Sequence, residues 1–192
     1  MTAKLKRGIT KVKDPGSALT HFIAMILAAI PLLSKAGHDS GHMRISALAI
    51  FILSMIGLYA ASTIYHTLDI SPKINKLLRK IDHMMIFILI AGTYTPVCMI
   101  VLGDKTGWTM LTLVWGIAIV GILINALWIT CPKWFSSLIY IAMGWVCVLA
   151  ITKILNSMPK AGFLWLLAGG VIYTGGGIIY ALKLPFFNSR HS

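Results

Sequence analysis

Five residues in this sequence combine ionisable or nucleophilic side chains with apolar surroundings: His21, Ser62, His66, Asp82 and His83. Imidazole nitrogens together with a carboxylate are donor types that suit Zn²⁺ or a similar divalent ion. Ser62 stands four residues before His66, one helical turn away on the same face, where a hydroxyl could meet the same ligand or a bound water. Ser17 stands in the same relation to His21. The alternative is that each is a polar residue at a helix end satisfied by solvent, with Asp82 stabilising the positive N-terminus of a helix that begins beside it. Spacing alone leaves both readings open.

The elements that must position these residues are apolar and long. Six windows carry almost no charge: 17–34, 45–65, 83–102, 106–131, 134–152 and 161–182. Each is long enough to cross a hydrocarbon core of about 30 Å at about 1.5 Å per residue. None alternates with period two, as a membrane barrel strand would, so the windows read as helices, which satisfy their backbone groups internally. Composition agrees: 58% of the residues are hydrophobic, 11% are charged and the mean hydropathy is +0.85, whereas soluble chains carry roughly 25% charged residues. The fold class is therefore an all-α integral membrane protein with six transmembrane helices. Residues 1–192 form a single transmembrane domain, with a basic N-terminus (1–16) and a tail (183–192).

The net charge of +12 does not point to nucleic acid, because the basic residues lie between apolar runs rather than on one solvated arm. The expected partners are membrane lipids. Cys98, Cys131 and Cys147 fall in or at the ends of apolar runs without C-x-x-C spacing, which suggests neither a disulfide framework nor a cysteine zinc site. The basic stretch Lys4, Lys6, Arg7, Lys11 and Lys13 before the first apolar run resembles a signal peptide, with Ser34-Lys35-Ala36 as a loose cleavage site. The run exceeds the usual apolar core of about 7–15 residues and more spans follow, so it is read as the first helix.

Lys and Arg set the orientation. Twelve lie at the N-terminus, after the second and fourth windows and in the tail, against five on the opposite side. This predicts a cytoplasmic N-terminus in the plasma membrane, and with six helices a cytoplasmic C-terminus. The second window runs toward that side and the third leaves it, through a loop of about 16 residues bearing Lys73, Lys76, Arg79 and Lys80. His21, Ser62, His66 and Asp82 are therefore expected at one end of the bundle. In the last window Gly169 and Gly176, seven apart, share a face where a neighbouring helix could approach closely.

The segments Leu58-Tyr59-Ala60-Ala61-Ser62-Thr63-Ile64-Tyr65-His66 and Ile81-Asp82-His83-Met84-Met85, followed by Ala91-Gly92-Thr93-Tyr94-Thr95-Pro96, resemble the bacterial hemolysin III family. That family is a branch of the progestin and adipoQ receptor family. The likeness continues through Gly107-Trp108-Thr109, Ala142-Met143-Gly144-Trp145 and Tyr180-Ala181-Leu182-Lys183. The resemblance implies a seven-helix bundle holding zinc near its cytoplasmic ends. It also implies three histidine ligands, one ending helix 2 and two in a His-x-x-x-His motif opening helix 7. His66 matches the first, Asp82 the aspartate that holds or activates the zinc-bound water, Ser62 a nearby serine, and His21 the histidine of the first motif.

Two departures stand out. Asp14 and Ser17 occupy positions where the bacterial pattern commonly has glutamate and asparagine. No His-x-x-x-His follows the sixth run within the 192 residues, and His191 lies in a polar tail. The expectation is thus a bundle lacking the seventh helix, with zinc held weakly or not at all by these residues. The metal site would comprise His66 and Asp82, with His21 as a further candidate; the catalytic pair would be Ser62 and Asp82.

The wider superfamily, which includes alkaline ceramidases, suggests a zinc-dependent hydrolase of lipid amides. The alternative is a non-enzymatic membrane protein affecting permeability or lipid homeostasis, a cytolysis-type role. A pore needs a polar stripe, and between their ends the windows offer little beyond Thr93, Tyr94 and Asn125.

Overall fold

The computed structural model describes residues 12–34, 41–128 and 133–182. Lys4, Lys6, Arg7, Lys11, Lys35, Cys131, Lys183, Arg190 and His191 lie outside the described residues. The helices are α1 (Pro15–Ser34), α2 (His42–Thr67), α3 (Pro72–Pro96), α4 (Lys105–Leu127), α5 (Lys133–Trp145), α6 (Ile151–Ser157) and α7 (Lys160–Leu182). A π-helical turn, Val97–Leu102, prolongs α3, and a 3-10 turn, Val146–Ala150, joins α5 to α6. No strand occurs among the described residues. Among the described residues, five stretches are long and apolar enough to cross a membrane: His42–Thr67, Pro72–Leu102, Lys105–Leu127, Trp134–Ser157 and Lys160–Ile179. The apolar stretch of α1, Pro15–Ile30, is shorter. The protein is an all-α membrane bundle.

Local chemistry sets the helix ends. Ser71 caps α3 by accepting the Ile74 N–H at 3.3 Å, with Pro72 in the first turn where no N–H is needed. Asp104 caps α4 by accepting the Gly107 N–H at 3.0 Å. Gly103 ends the π-helical turn in the left-handed region, φ 61°, and its N–H donates to the Cys98 carbonyl at 3.0 Å. A side chain on Gly107 would run into that same carbonyl, so the turn between α3 and α4 needs both glycines.

The α3 helix begins at Pro72, about three turns before the expected start at residue 83. The basic stretch after Ser71, expected as a loop, is helical because it is capped and lies beyond the apolar window, where lysines are well solvated. Asp82 consequently sits in the helix interior, and the macrodipole reading of this residue fails because that effect fades beyond the first turn.

Packing centres on α3 and α4. Phe87, Ala91, Val114, Ala118, Met143 and Ile154 are buried in a shared cluster. Gly121 leaves the space that the Phe87 ring fills, and that ring meets Tyr140 of α5 with centroids 4.6 Å apart. Gly92 of α3 faces Ser54 of α2 with no room for a Cβ. Such small-residue contacts are how helices gain van der Waals contact in a solvent as apolar as their own side chains. Gly169 and Gly176 do not play this part, since a methyl group added at either would meet no described atom within 4 Å. The close approach of α7 is made instead at two other glycines. A Cβ on Gly177 would stand 3.0 Å from Ile141 of α5, and one on Gly144 of α5 would stand 2.8 Å from Tyr173.

The 3-10 turn after α5 interrupts backbone pairing inside the membrane, and Tyr94 of α3 repairs it. Its hydroxyl accepts the Cys147 N–H at 2.9 Å and can donate its proton to the carbonyl of Met143 or Gly144, each at 2.8 Å. Irregular backbone at membrane depth persists where protein groups satisfy it in this way.

Candidate functional site

The entry end of α1, the exit end of α2 and the capped start of α3 meet at one end of the bundle. The exit of α4 lies there too, because the Lys80 ammonium donates to the Ala126 carbonyl. A cation at a helix C-terminus satisfies an open carbonyl and complements the negative end of the dipole.

Ser62 and His21 are 41 residues apart in sequence, yet the Ser62 hydroxyl oxygen and the His21 Nδ1 are 2.7 Å apart. Ser62 is buried. The His21 ring lies edge-on to His66, centroids 5.6 Å apart, and 6.0 Å from the Tyr59 ring. His66 in turn has Tyr65 against it at 4.8 Å and the Asp14 carboxylate 3.3 Å from its Nδ1. The Asp82 and Asp14 carboxylates and the His66 ring all lie within electrostatic reach of the His21 ring. Asp82 is 9% exposed, and its carboxylate is 3.5 Å from the Nδ1 of His83. Tyr140 of α5 donates its hydroxyl proton to the His83 carbonyl at 2.8 Å, so α5 braces α3 directly beside Asp82.

His21, Ser62 and His66 thus form one connected group, with Asp82 near it through His21. Ser17 does not pair with His21; its hydroxyl donates to Asp14 at 2.8 Å. Sequence reasoning marks Asp14 only as a departure from the family pattern that keeps an oxygen acceptor, and does not single out Tyr59, Tyr65 or Tyr140 as site residues. Asp14 does carry a signal, since it precedes His21 by seven residues, two turns on one face, and precedes Ser17 by three.

The donor chemistry suits a zinc ion. The two imidazoles each have Nδ1 engaged, by a hydroxyl or by a carboxylate, which is the outer-shell support that metal-ligating histidines use while Nε2 binds. Convergence is incomplete: among the described residues no three His, Cys, Asp or Glu side chains gather closely enough to hold a metal. The described residues therefore bring donor types suited to zinc to one end of the bundle without gathering them into a metal-binding cluster.

Known proteins align with this chain along almost its whole length. The family described as "Haemolysin-III related" matches residues 9–189. The chain belongs to the hemolysin III family. Among hemolysin III proteins it is similar to "Hemolysin-3" of Bacillus cereus, 39% identical over 191 residues, covering 97% of this chain and 87% of that one. It is also similar to "Hemolysin-3 homolog" of Bacillus subtilis (strain 168), 34% identical over 181 residues, covering 92% and 84%. The hemolysin III match includes α1, α2 and α3, the three helices that carry the polar group.

Proposed function

We propose that this hemolysin III protein is a zinc-dependent hydrolase of lipid amides whose site is the His21, Ser62, His66 and Asp82 group. It would lie in the plasma membrane with its N-terminus, and hence the site, on the cytoplasmic side. The reading is carried by one observation: a serine hydroxyl, two imidazoles and a buried carboxylate are gathered at one end of an otherwise apolar bundle. Ionisable groups within membrane spans are costly and by default mark functional sites.

In this reading His66 and His21 would hold the ion, with further donors needed to complete the shell. A bound Zn²⁺ supplies Lewis-acid polarisation of a carbonyl and eases ionisation of a water. Asp82 would receive the proton of the attacking water and return it to the amide nitrogen as the C–N bond breaks and the amine leaves; its burial limits competing hydration. If His21 donates its Nδ1 proton to the Ser62 oxygen, the Ser62 O–H is left free to donate to the oxygen on which negative charge develops. His83, beside Asp82, steadies its carboxylate.

The non-enzymatic pore reading has less support. Polar side chains in the spans are turned back onto protein: Ser54 donates to the Phe51 carbonyl, Thr95 to Ala91 and Asn125 to Gly121. They offer water no continuous stripe.

The test is fatty-acid release from a lipid amide in proteoliposomes supplied with zinc, comparing wild type with Asp82→Asn and Ser62→Ala. Loss of a general base predicts a decline of about 10²–10⁴-fold for Asp82→Asn. Loss of an oxyanion donor predicts about 10²–10³-fold for Ser62→Ala. Equal release by wild type and Asp82→Asn, or none by wild type, would refute the hydrolase and favour a non-enzymatic role in lipid homeostasis.

A further inference from the structure

We infer that Asp14, on the segment leading into α1, is the positioning residue for His66: it keeps the ring proton on Nδ1 and leaves Nε2 with a free lone pair. Three sets of contacts fix the carboxylate in place. The Asp14 N–H donates to the His66 carbonyl at 2.9 Å, and the Lys13 N–H to the Thr67 carbonyl at 3.4 Å. Both carbonyls lie in the last turn of α2, where a helix leaves its C=O groups open, so the lead-in segment docks by filling them. The Lys13 ammonium rests 3.8 Å from the centre of the Tyr65 ring, pinning the same segment from its side-chain face. The Ser17 hydroxyl donates to Asp14 Oδ2 at 2.8 Å, and that same oxygen stands 3.3 Å from His66 Nδ1.

The chemical consequence follows from the sign of the charge. A carboxylate repels a ring-nitrogen lone pair and attracts a ring N–H, so the imidazole facing it carries its proton on the near nitrogen. Ser62, which faces His21, is a hydroxyl that can either donate or accept, and therefore sets no tautomer there. Asp14 is the group that makes one of the two imidazoles a ready donor to an ion or a proton. It acts through His66 rather than on substrate. The purpose assigned to it rests on the proposed site, whereas the tautomer itself does not.

Imidazole ¹⁵N spectra of histidine-labelled protein in micelles at mildly alkaline pH, without zinc, read the tautomer directly; His66→Gln identifies the resonances. The wild type should show His66 predominantly protonated on Nδ1. Asp14→Ala should lower the Nδ1–H to Nε2–H ratio about tenfold or more, the effect of removing the negative charge that faces the ring. Asp14→Glu should restore it, as a merely structural residue would not require. Ser17→Ala, which only frees the carboxylate, should give an intermediate ratio and decides the matter if Asp14→Ala does not fold. A wild-type His66 protonated on Nε2, or a ratio unchanged in both Asp14→Ala and Ser17→Ala, would overturn the inference. Because no activity is measured, a failed hydrolase reading would leave these spectra as they are.

Discussion

Tyr94→Phe removes one oxygen at the point where the fifth span breaks its helical pairing. The hydroxyl has two jobs, accepting the Cys147 N–H at 2.9 Å and donating to the Met143 or Gly144 carbonyl at 2.8 Å. With phenylalanine both backbone groups lose the Tyr94 hydroxyl as a partner inside the membrane. A buried group left unsatisfied costs about 1–3 kcal/mol in water-soluble proteins. Measured interhelical hydrogen bonds in membranes are weaker, averaging about 0.6 and reaching about 1.7 kcal/mol, because the unfolded chain in lipid also finds partners. Two such bonds put the expected destabilisation at roughly 1–3 kcal/mol. Reversible unfolding in mixed micelles measures it. Tyr173→Phe is the matched control: that hydroxyl is buried with no hydrogen-bond partner among the described residues, so its removal should be neutral or slightly stabilising. If Tyr94→Phe costs no more than Tyr173→Phe, the hydroxyl is not what sustains the break.

Two further outcomes follow from the packing and the charges. Gly121→Val should destabilise the bundle by about 1–3 kcal/mol in the same unfolding assay, the usual cost of overpacking, since the new side chain meets the buried Phe87 ring. Asp104 is held below the ordinary carboxylate range by the hydrogen bond from Lys153, 2.7 Å away, and then by the Gly107 N–H. A depressed folded-state value contributes stability that is present above the unfolded value near pH 4 and is lost as pH falls through the folded one. Unfolding midpoints measured from about pH 6 down to about pH 3 should therefore decline in wild type and decline less in Asp104→Asn, which keeps the cap acceptor but not the charge. Equal slopes would show that the pair contributes nothing.

Much of this arrangement is written in the residue order, and the parts that are not have physical reasons. Uncharged runs of span length mark the helices because lipid admits few alternatives. The shared end of His21, Ser62, His66 and Asp82 follows from helix direction alone. The start of α3 is hidden because hydropathy registers where lipid ends, not where a helix ends, and the Ser71-Pro72 start lies outside lipid. The 3-10 turn after Trp145 has no proline or charge to announce it; it depends on Tyr94, 50 residues from Gly144 in sequence. Glycine spacing in α7 points to the wrong face, because close approach is decided by what the partner helix presents, here Ile141 opposite Gly177. Asp14 is legible as a carboxylate at the family pattern's glutamate position, two turns before His21; its pairing with His66 needs the docking of the lead-in segment onto α2.

Zinc titration of the purified 192-residue protein, with ion content measured after dialysis against a mild chelator, addresses the proposed metal site most directly. Two imidazoles and nearby carboxylates without a third convergent donor among the described residues predict weak one-to-one binding that dialysis removes, weakened at least about tenfold further by His66→Ala and by His21→Ala. Zinc that stays bound in stoichiometric amount, with an affinity indifferent to both substitutions, would contradict the assignment of the site to this end of the bundle.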